Sequence, residues 1–162
     1  NATDAEQTGS DFGNTLPTST VFTTNVTGTA GRTYCFWAWT AIEGYSKFGK
    51  YEGNGSTDGP FIYTGFQPAM VMVKSYSNSA TNWEIRDNLR SSSSGGNPIT
   101  QVLYPNLTSQ EYTTDNCDFL SNGFKWRSSG GNRNDSGKTY VYWAFAVHPF
   151  NGNGENAFAT AR

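Results

Sequence analysis

Apolar positions in this chain come in short bursts rather than in a helical period. Segments rich in aromatic and β-branched residues recur at 20–24, 33–40, 61–64, 70–75, 83–86, 119–126 and 138–147, each bounded by Gly, Asn, Ser or Pro. Such bounded runs predict strands. No window of helical length places apolar residues at i, i+3, i+4 and i+7 without a breaker, so at most one helical turn is expected, near 109–112. Trp83, Glu84, Ile85 and Arg86 alternate apolar and charged, as a strand with one face in water and one in the core requires. The runs 34–39 and 140–146 are apolar on both faces, which predicts central strands covered on both sides or an interface. The expected class is an all-β, antiparallel, jelly-roll-like β-sandwich.

Length and composition narrow the picture. A chain of 162 residues suits one compact domain. Aromatic residues make up 15 % of it although apolar residues reach only 35 %, and its 18 glycines favour strands joined by turns over helices. The net charge of −2 and the lack of any run of one sign give no pull toward nucleic acid or anionic lipid. No apolar stretch is long enough for membrane insertion as a helix, and the first residues do not read as a secretion signal. Cys35 and Cys117 lack the spacing of a disulfide framework or a zinc site and are expected as free or buried thiols. Asn1, Asn25, Asn54, Asn106 and Asn134 head Asn-X-Ser/Thr sequons, which chance supplies readily in a chain rich in these residues.

An internal echo is the most informative feature. Gly31, Thr33, Tyr34, Trp37 and Ala38 recur in register as Gly137, Thr139, Tyr140, Trp143 and Ala144, and upstream Asn1, Thr3, Glu6 and Thr8 recur as Asn106, Thr108, Glu111 and Thr113. Two echoes in the same order point to duplication. Residues 1–42 then read as the C-terminal part of a preceding repeat, 43–150 as a complete β-sandwich repeat and 151–162 as a C-terminal tail. The chain is expected to begin in mid-repeat, with the protein extending upstream of Asn1, and the partial repeat can still pack with the whole one as one compact domain. The alternative is that two strands converged on similar aromatic patterns.

The run Glu43-Gly-Tyr-Ser-Lys-Phe-Gly49, then Asp58-Gly-Pro-Phe-Ile-Tyr-Thr-Gly-Phe66 and Gln67-Pro-Ala-Met-Val-Met-Val-Lys74, resembles a tandemly repeated domain of marine bacteriophage structural proteins. The later Leu103-Tyr-Pro-Asn106, Asp118-Phe-Leu-Ser-Asn-Gly-Phe-Lys125 and the run 136–146 continue the resemblance, which covers residues 30–150. It implies a concanavalin A-like or laminin G-like sandwich on the virion surface, in a tail fibre or similar appendage. It also implies other virion proteins as partners and a homo-oligomer. Residues 77–81 and 91–96 depart from the pattern in turn-rich loops, where specificity resides.

Catalytic chemistry finds little footing. The sole histidine, His148, follows the last predicted strand, and no Gly-X-Ser-X-Gly elbow accompanies it. Glycoside hydrolysis needs two facing carboxylates, for which Glu84 with Asp87 and Asp115 with Asp118 are the candidates. Three positions apart on a strand, Glu84 and Asp87 point to opposite faces, and Asp115 and Asp118 flank Cys117 in an expected turn. Asn132, Asn134 and Asp135 share a loop that could offer oxygens to calcium, but Arg133 among them makes an ordinary turn the better reading. The expectation is no enzyme, no cofactor and no metal.

Binding of host cell-surface polysaccharide remains, because shallow sugar sites pair an aromatic platform with Asn, Asp or Arg on loops. Tyr76, Asn78, Trp126, Asn132 and Arg133 are the candidates, each weighed against a simple packing role. A capsid decoration protein making only protein contacts is the alternative, and a glycan-cleaving enzyme the third reading.

Overall fold

A computed structural model describes residues 18–23, 37–90 and 96–149. Most of the expected partial repeat 1–42, the tail 151–162, Cys35 and the sequons at Asn1 and Asn25 lie outside the described residues. The chain divides into two compact units, one spanning Glu6–Trp39 and the other holding the remainder. In the smaller unit, Thr18 closes a turn on Val21, and Trp37 and Trp39 are exposed. Residues 20–23 and 37–40 are not strands, contrary to the sequence pattern.

The larger unit is a β-sandwich of eight antiparallel strands with no helix among the described residues. In chain order these are β1 (Ser46–Glu52), β2 (Phe61–Tyr63), β3 (Pro68–Ser75), β4 (Glu84–Asp87), β5 (Ile99–Val102), β6 (Tyr112–Leu120), β7 (Gly123–Trp126) and β8 (Thr139–Ala146). One sheet runs β1-β8-β3-β4 and the other β2-β7-β6-β5. The first strand pairs with the last and the second with the penultimate, the nesting of a jelly roll. The nesting then gives way to local pairing, β3 with β4 and β5 with β6. A single bridge from Ile85 to Leu103 joins β4 to the end of β5 and ties the two sheets together on that side. On the opposite side β1 and β2 are edge strands, and no bridge joins them among the described residues.

Strand β8 explains the doubly apolar run at 140–146. It lies between β1 and β3, with Tyr140, Tyr142, Ala144 and Ala146 buried between the sheets and Val141, Trp143 and Phe145 half-buried on the outer face. Gly49 on β1 makes room for this packing, since a Cβ there would lie 2.9 Å from the Tyr142 ring. The aromatic content fills the inter-sheet space. Tyr51 stacks on Tyr140 with centroids 5.1 Å apart, and Phe124 meets Tyr142 and Trp126 edge-on. Each such pair adds about 0.5–1.5 kcal/mol beyond the area it buries, so a few rings do the work of many aliphatics.

Three strands escape the sequence pattern. β6 runs through Asp115, Cys117 and Asp118, where a turn is expected, because its polar positions alternate with buried Cys117 and Phe119; the expected 119–126 strand is the end of β6 and all of β7, with a turn between them. β1 is an edge strand whose Lys47, Lys50 and Glu52 are exposed, so it reads as polar. β5 buries both Ile99 and Val102, because a register shift between Ile99 and Gln101 breaks the alternation. The helical turn expected at 109–112 is absent: residues 109–111 have no regular structure, and β6 begins at Tyr112. At β4 the alternation is present but its sense is reversed. Glu84 and Arg86 face the core, while Trp83 and Ile85 are half-buried outside.

Candidate functional site

The inverted strand β4 carries the most polar part of the core. Glu84 is fully buried, and its Oε1 accepts hydrogen bonds from Arg86 Nε at 2.6 Å and Arg133 Nε at 2.9 Å. Arg133 Nε also reaches Oε2 at 2.8 Å, and Arg86 Nη1 donates to the Ile99 carbonyl at 2.9 Å. Both guanidinium carbons lie over the Trp126 ring, 5.5 and 5.9 Å from its centroid. Trp126 Nε1 donates to the Tyr51 hydroxyl, which donates in turn to the Arg133 carbonyl at 2.7 Å. Buried charges persist only when paired and hydrogen-bonded; every charge of this cluster is paired, and Arg86 Nη2 is its one buried nitrogen without a hydrogen-bond acceptor among the described residues.

Trp126 and Arg133 are therefore withdrawn as sugar contacts: both are buried, and their polar atoms are spent on the core. Asn132 is half-buried, with Oδ1 accepting from the Asn82 amide and Nδ2 donating to the Tyr104 hydroxyl. Tyr76 and Asn78 are half-buried in the loop after β3, where the Tyr76 amide is held by the Thr139 carbonyl and the Asn78 carbonyl by Thr81. The five candidates thus do not converge on one surface. Trp126 and Arg133 meet in the core, while Asn132 and Asn78 belong to linked loops at one end.

The candidate carboxylates are also occupied. Glu84 is enclosed by its arginines; Asp87 binds the Arg90 side chain and the amides of Leu89 and Arg90; Asp118 pairs with Arg127 at 2.6 Å. The Asp115 side chain lies outside what the structure describes. Asn134 Nδ2 donates to Asn54 Oδ1 and to the Ser56 and Ser128 carbonyls, and Asp135 Oδ1 accepts from the Gly131 amide. These oxygens and amides hold the loop together, as turn chemistry expects. The sequon nitrogens of Asn54, Asn106 and Asn134 all donate hydrogen bonds within the fold.

A different surface combines aromatic rings and polar groups in the way a ligand site requires. On the edge strand β2, Phe61 and Tyr63 point away from the core and are 45 % and 62 % exposed, while Ile62 between them is buried. Strand register sets two rows across the outer face, Phe61–Lys125–Asp118 and Tyr63–Gly123–Leu120. Gly123 is required here, because a Cβ would fall 2.2 Å from the Ile62 carbonyl oxygen and 2.8 Å from the Phe61 ring. Lys125 pairs with Asp58 at 2.8 Å, and Arg127 links Asp58 at 3.5 Å with Asp118. The hydrogen bond and charge of Lys125, with help from Arg127, hold the Asp58 carboxyl below its ordinary range.

Beside this platform, on the β1 and β2 side of the sandwich, runs a groove of about 370 Å³, within the usual range for small-ligand sites. Tyr63, Thr64, Gly65 and Phe66 form one wall; Glu43, Gly44, Ser46 and Lys47 form the other. Gly65 at φ 87° and the bond from Thr64 Oγ1 to the Phe66 carbonyl at 2.6 Å make the turn that sets this wall. The sequence signal was the triplet Phe61-Ile62-Tyr63, in which only one of two faces can be core. Which face that is depends on the opposite sheet.

The family model described as Domain of unknown function (DUF7483) matches residues 1–149. The chain belongs to the DUF7483 family. No curated protein and no solved structure matches it. In this DUF7483 chain the platform sets the two rings of β2 beside Lys125 of β7 and Asp118 of β6, with Asp58 and Arg127 joined to them by ion pairs from the flanking turns. The buried cluster cannot meet a ligand, being closed on all sides by core side chains; its chemistry is that of a structural ion triad.

Proposed function

We propose that this chain is a non-catalytic surface module of a bacteriophage virion, carried on a tail fibre or similar appendage, that binds polysaccharide of the host cell surface. The exposed ring pair Phe61 and Tyr63, set beside an ion ladder on a rigid sheet face, is the observation that carries this reading. Exposed aromatic side chains side by side are uncommon without a partner, and a ring flanked by Asp, Lys and Arg suits the C–H face and hydroxyl rim of a sugar. The resemblance of the motifs at 43–74 and 103–146 to phage structural proteins supports the virion setting.

Antibodies raised to this domain and applied to purified particles under the electron microscope test the setting. Label on the tail or fibres is expected. Label confined to the head favours the second reading, a capsid decoration protein, for which the half-buried outer row Phe48, Trp143, Met72 and Ile85 offers an apolar face for protein contact.

A further inference from the structure

The charge on the platform is balanced within itself. Lys125 and Arg127 supply two positive groups, Asp58 and Asp118 two negative ones, and every one of the four is in an ion pair with another. The groove rim adds one of each sign, Glu43 and Lys47. An anionic sugar therefore meets no surplus positive field, and it meets Asp58, which is 79 % exposed. Both ion pairs of Asp58 fall on Oδ1, which leaves Oδ2 as an acceptor for a hydroxyl. The rings are two residues apart on one strand face, about 6.6 Å along the chain. They extend from above Gly123 to beside Gly65, where a Cβ would lie 3.6 Å from the Tyr63 hydroxyl. That strip is longer than a single ring and continues into the groove.

Resting on the reading of this face as a glycan site, we propose that its ligand is a run of uncharged sugars from a neutral polysaccharide, stacked on Phe61 and Tyr63 and hydrogen-bonded to Asp58, with anionic polymers excluded. Binding then depends on aromatic contact and is nearly independent of salt, whereas a polyanion held by Lys125 and Arg127 would be released by it.

Affinity electrophoresis of the full chain through gels containing neutral dextran, mannan or galactan, or anionic alginate or chondroitin sulfate, separates the outcomes. Each is run at about 50 mM and about 500 mM NaCl, a range over which screening of exposed charges grows strongly. The expected result is retardation by at least one neutral polymer, equal at both salts and weakened about tenfold or more by Tyr63→Ala or Phe61→Ala. Circular dichroism confirms that these surface variants are folded. Tyr63-dependent retardation by the anionic polymers alone, fading with salt, overturns the neutral-sugar inference and leaves the glycan site standing. No retardation by any polymer, or retardation that neither variant changes, overturns the site itself.

Discussion

At the scale of single residues, the largest energetic contrast lies between Glu84 and Tyr63. Glu84 pairs with two arginines in the core, and its removal leaves both without a carboxylate partner out of reach of water. Breaking a buried ion pair from one side costs about 3–5 kcal/mol, so Glu84→Ala is expected to lose about that much in urea unfolding. Tyr63→Ala removes an exposed ring and should change stability by no more than about 0.5 kcal/mol while weakening glycan binding about tenfold or more. Equal losses for the two would contradict this division between a structural triad and a binding platform. Trp126 shows why the residue scale is the hardest to read from sequence: an aromatic near loop Asn and Arg residues looks like a sugar platform, yet here Arg86 and Arg133 stack on it from within the core.

At the scale of elements, β2 is the piece that decides whether the platform exists. It is three residues long and, among the described strands, pairs with β7 alone, and it lies close enough that position 123 admits no side chain. Gly123→Ala must push β2 outward, because the obstructing atom is a backbone oxygen. It is expected to cost about 1–3 kcal/mol, the usual scale of overpacking, and to weaken polysaccharide binding although it leaves every contact residue in place. A melting temperature and retardation both equal to those of the unaltered chain would refute that. Strands β3 and β8 were legible because β-branched, aromatic and Met residues crowd them. β1 and β5 were not, since an edge strand tolerates charge and a bulge erases the period.

At the scale of the whole molecule, the buried tyrosines and Cys117 tie stability to alkaline pH. Burial pushes the Cys117 thiol up to about 12 and the Tyr140 hydroxyl up to about 12, and raises Tyr51 as well. Groups whose folded value lies above the unfolded one favour folding fully below the unfolded value and lose that contribution as pH rises toward the folded one. For Cys117, whose unfolded value is about 8.5, the window opens there and closes near pH 12. Stability from denaturant titrations should hold up to about pH 8.5 and decline steadily above it. Substitution of Cys117 by Ala should flatten the first part of the decline; an unchanged profile would remove Cys117 from the account. In a Cys35→Ser background, a thiol reagent at neutral pH should label Cys117 only as fast as the protein unfolds.

Alternation of side chains along a strand is a local property, and so the sequence by itself determined that the chain is built of antiparallel strands and turns and that its core is aromatic; the doubly apolar runs 34–39 and 140–146 looked alike, and only the structure made 140–146 a central strand and left Trp37 and Trp39 exposed. The sequence determined the period at β4 and at β2 but not the sense. Only the tertiary structure decided that Glu84 and Arg86 turn inward and that Phe61 and Tyr63 turn outward, because the inner face of a strand is defined by what stands opposite it. For β4 the opposite partners are Trp126, on the facing sheet, and Arg133, from a loop 49 residues along the chain. For β2 it is the close approach of Gly123 that fixes the face. Contacts between residues so far apart in the chain leave no period in the sequence, and they placed both the triad and the platform.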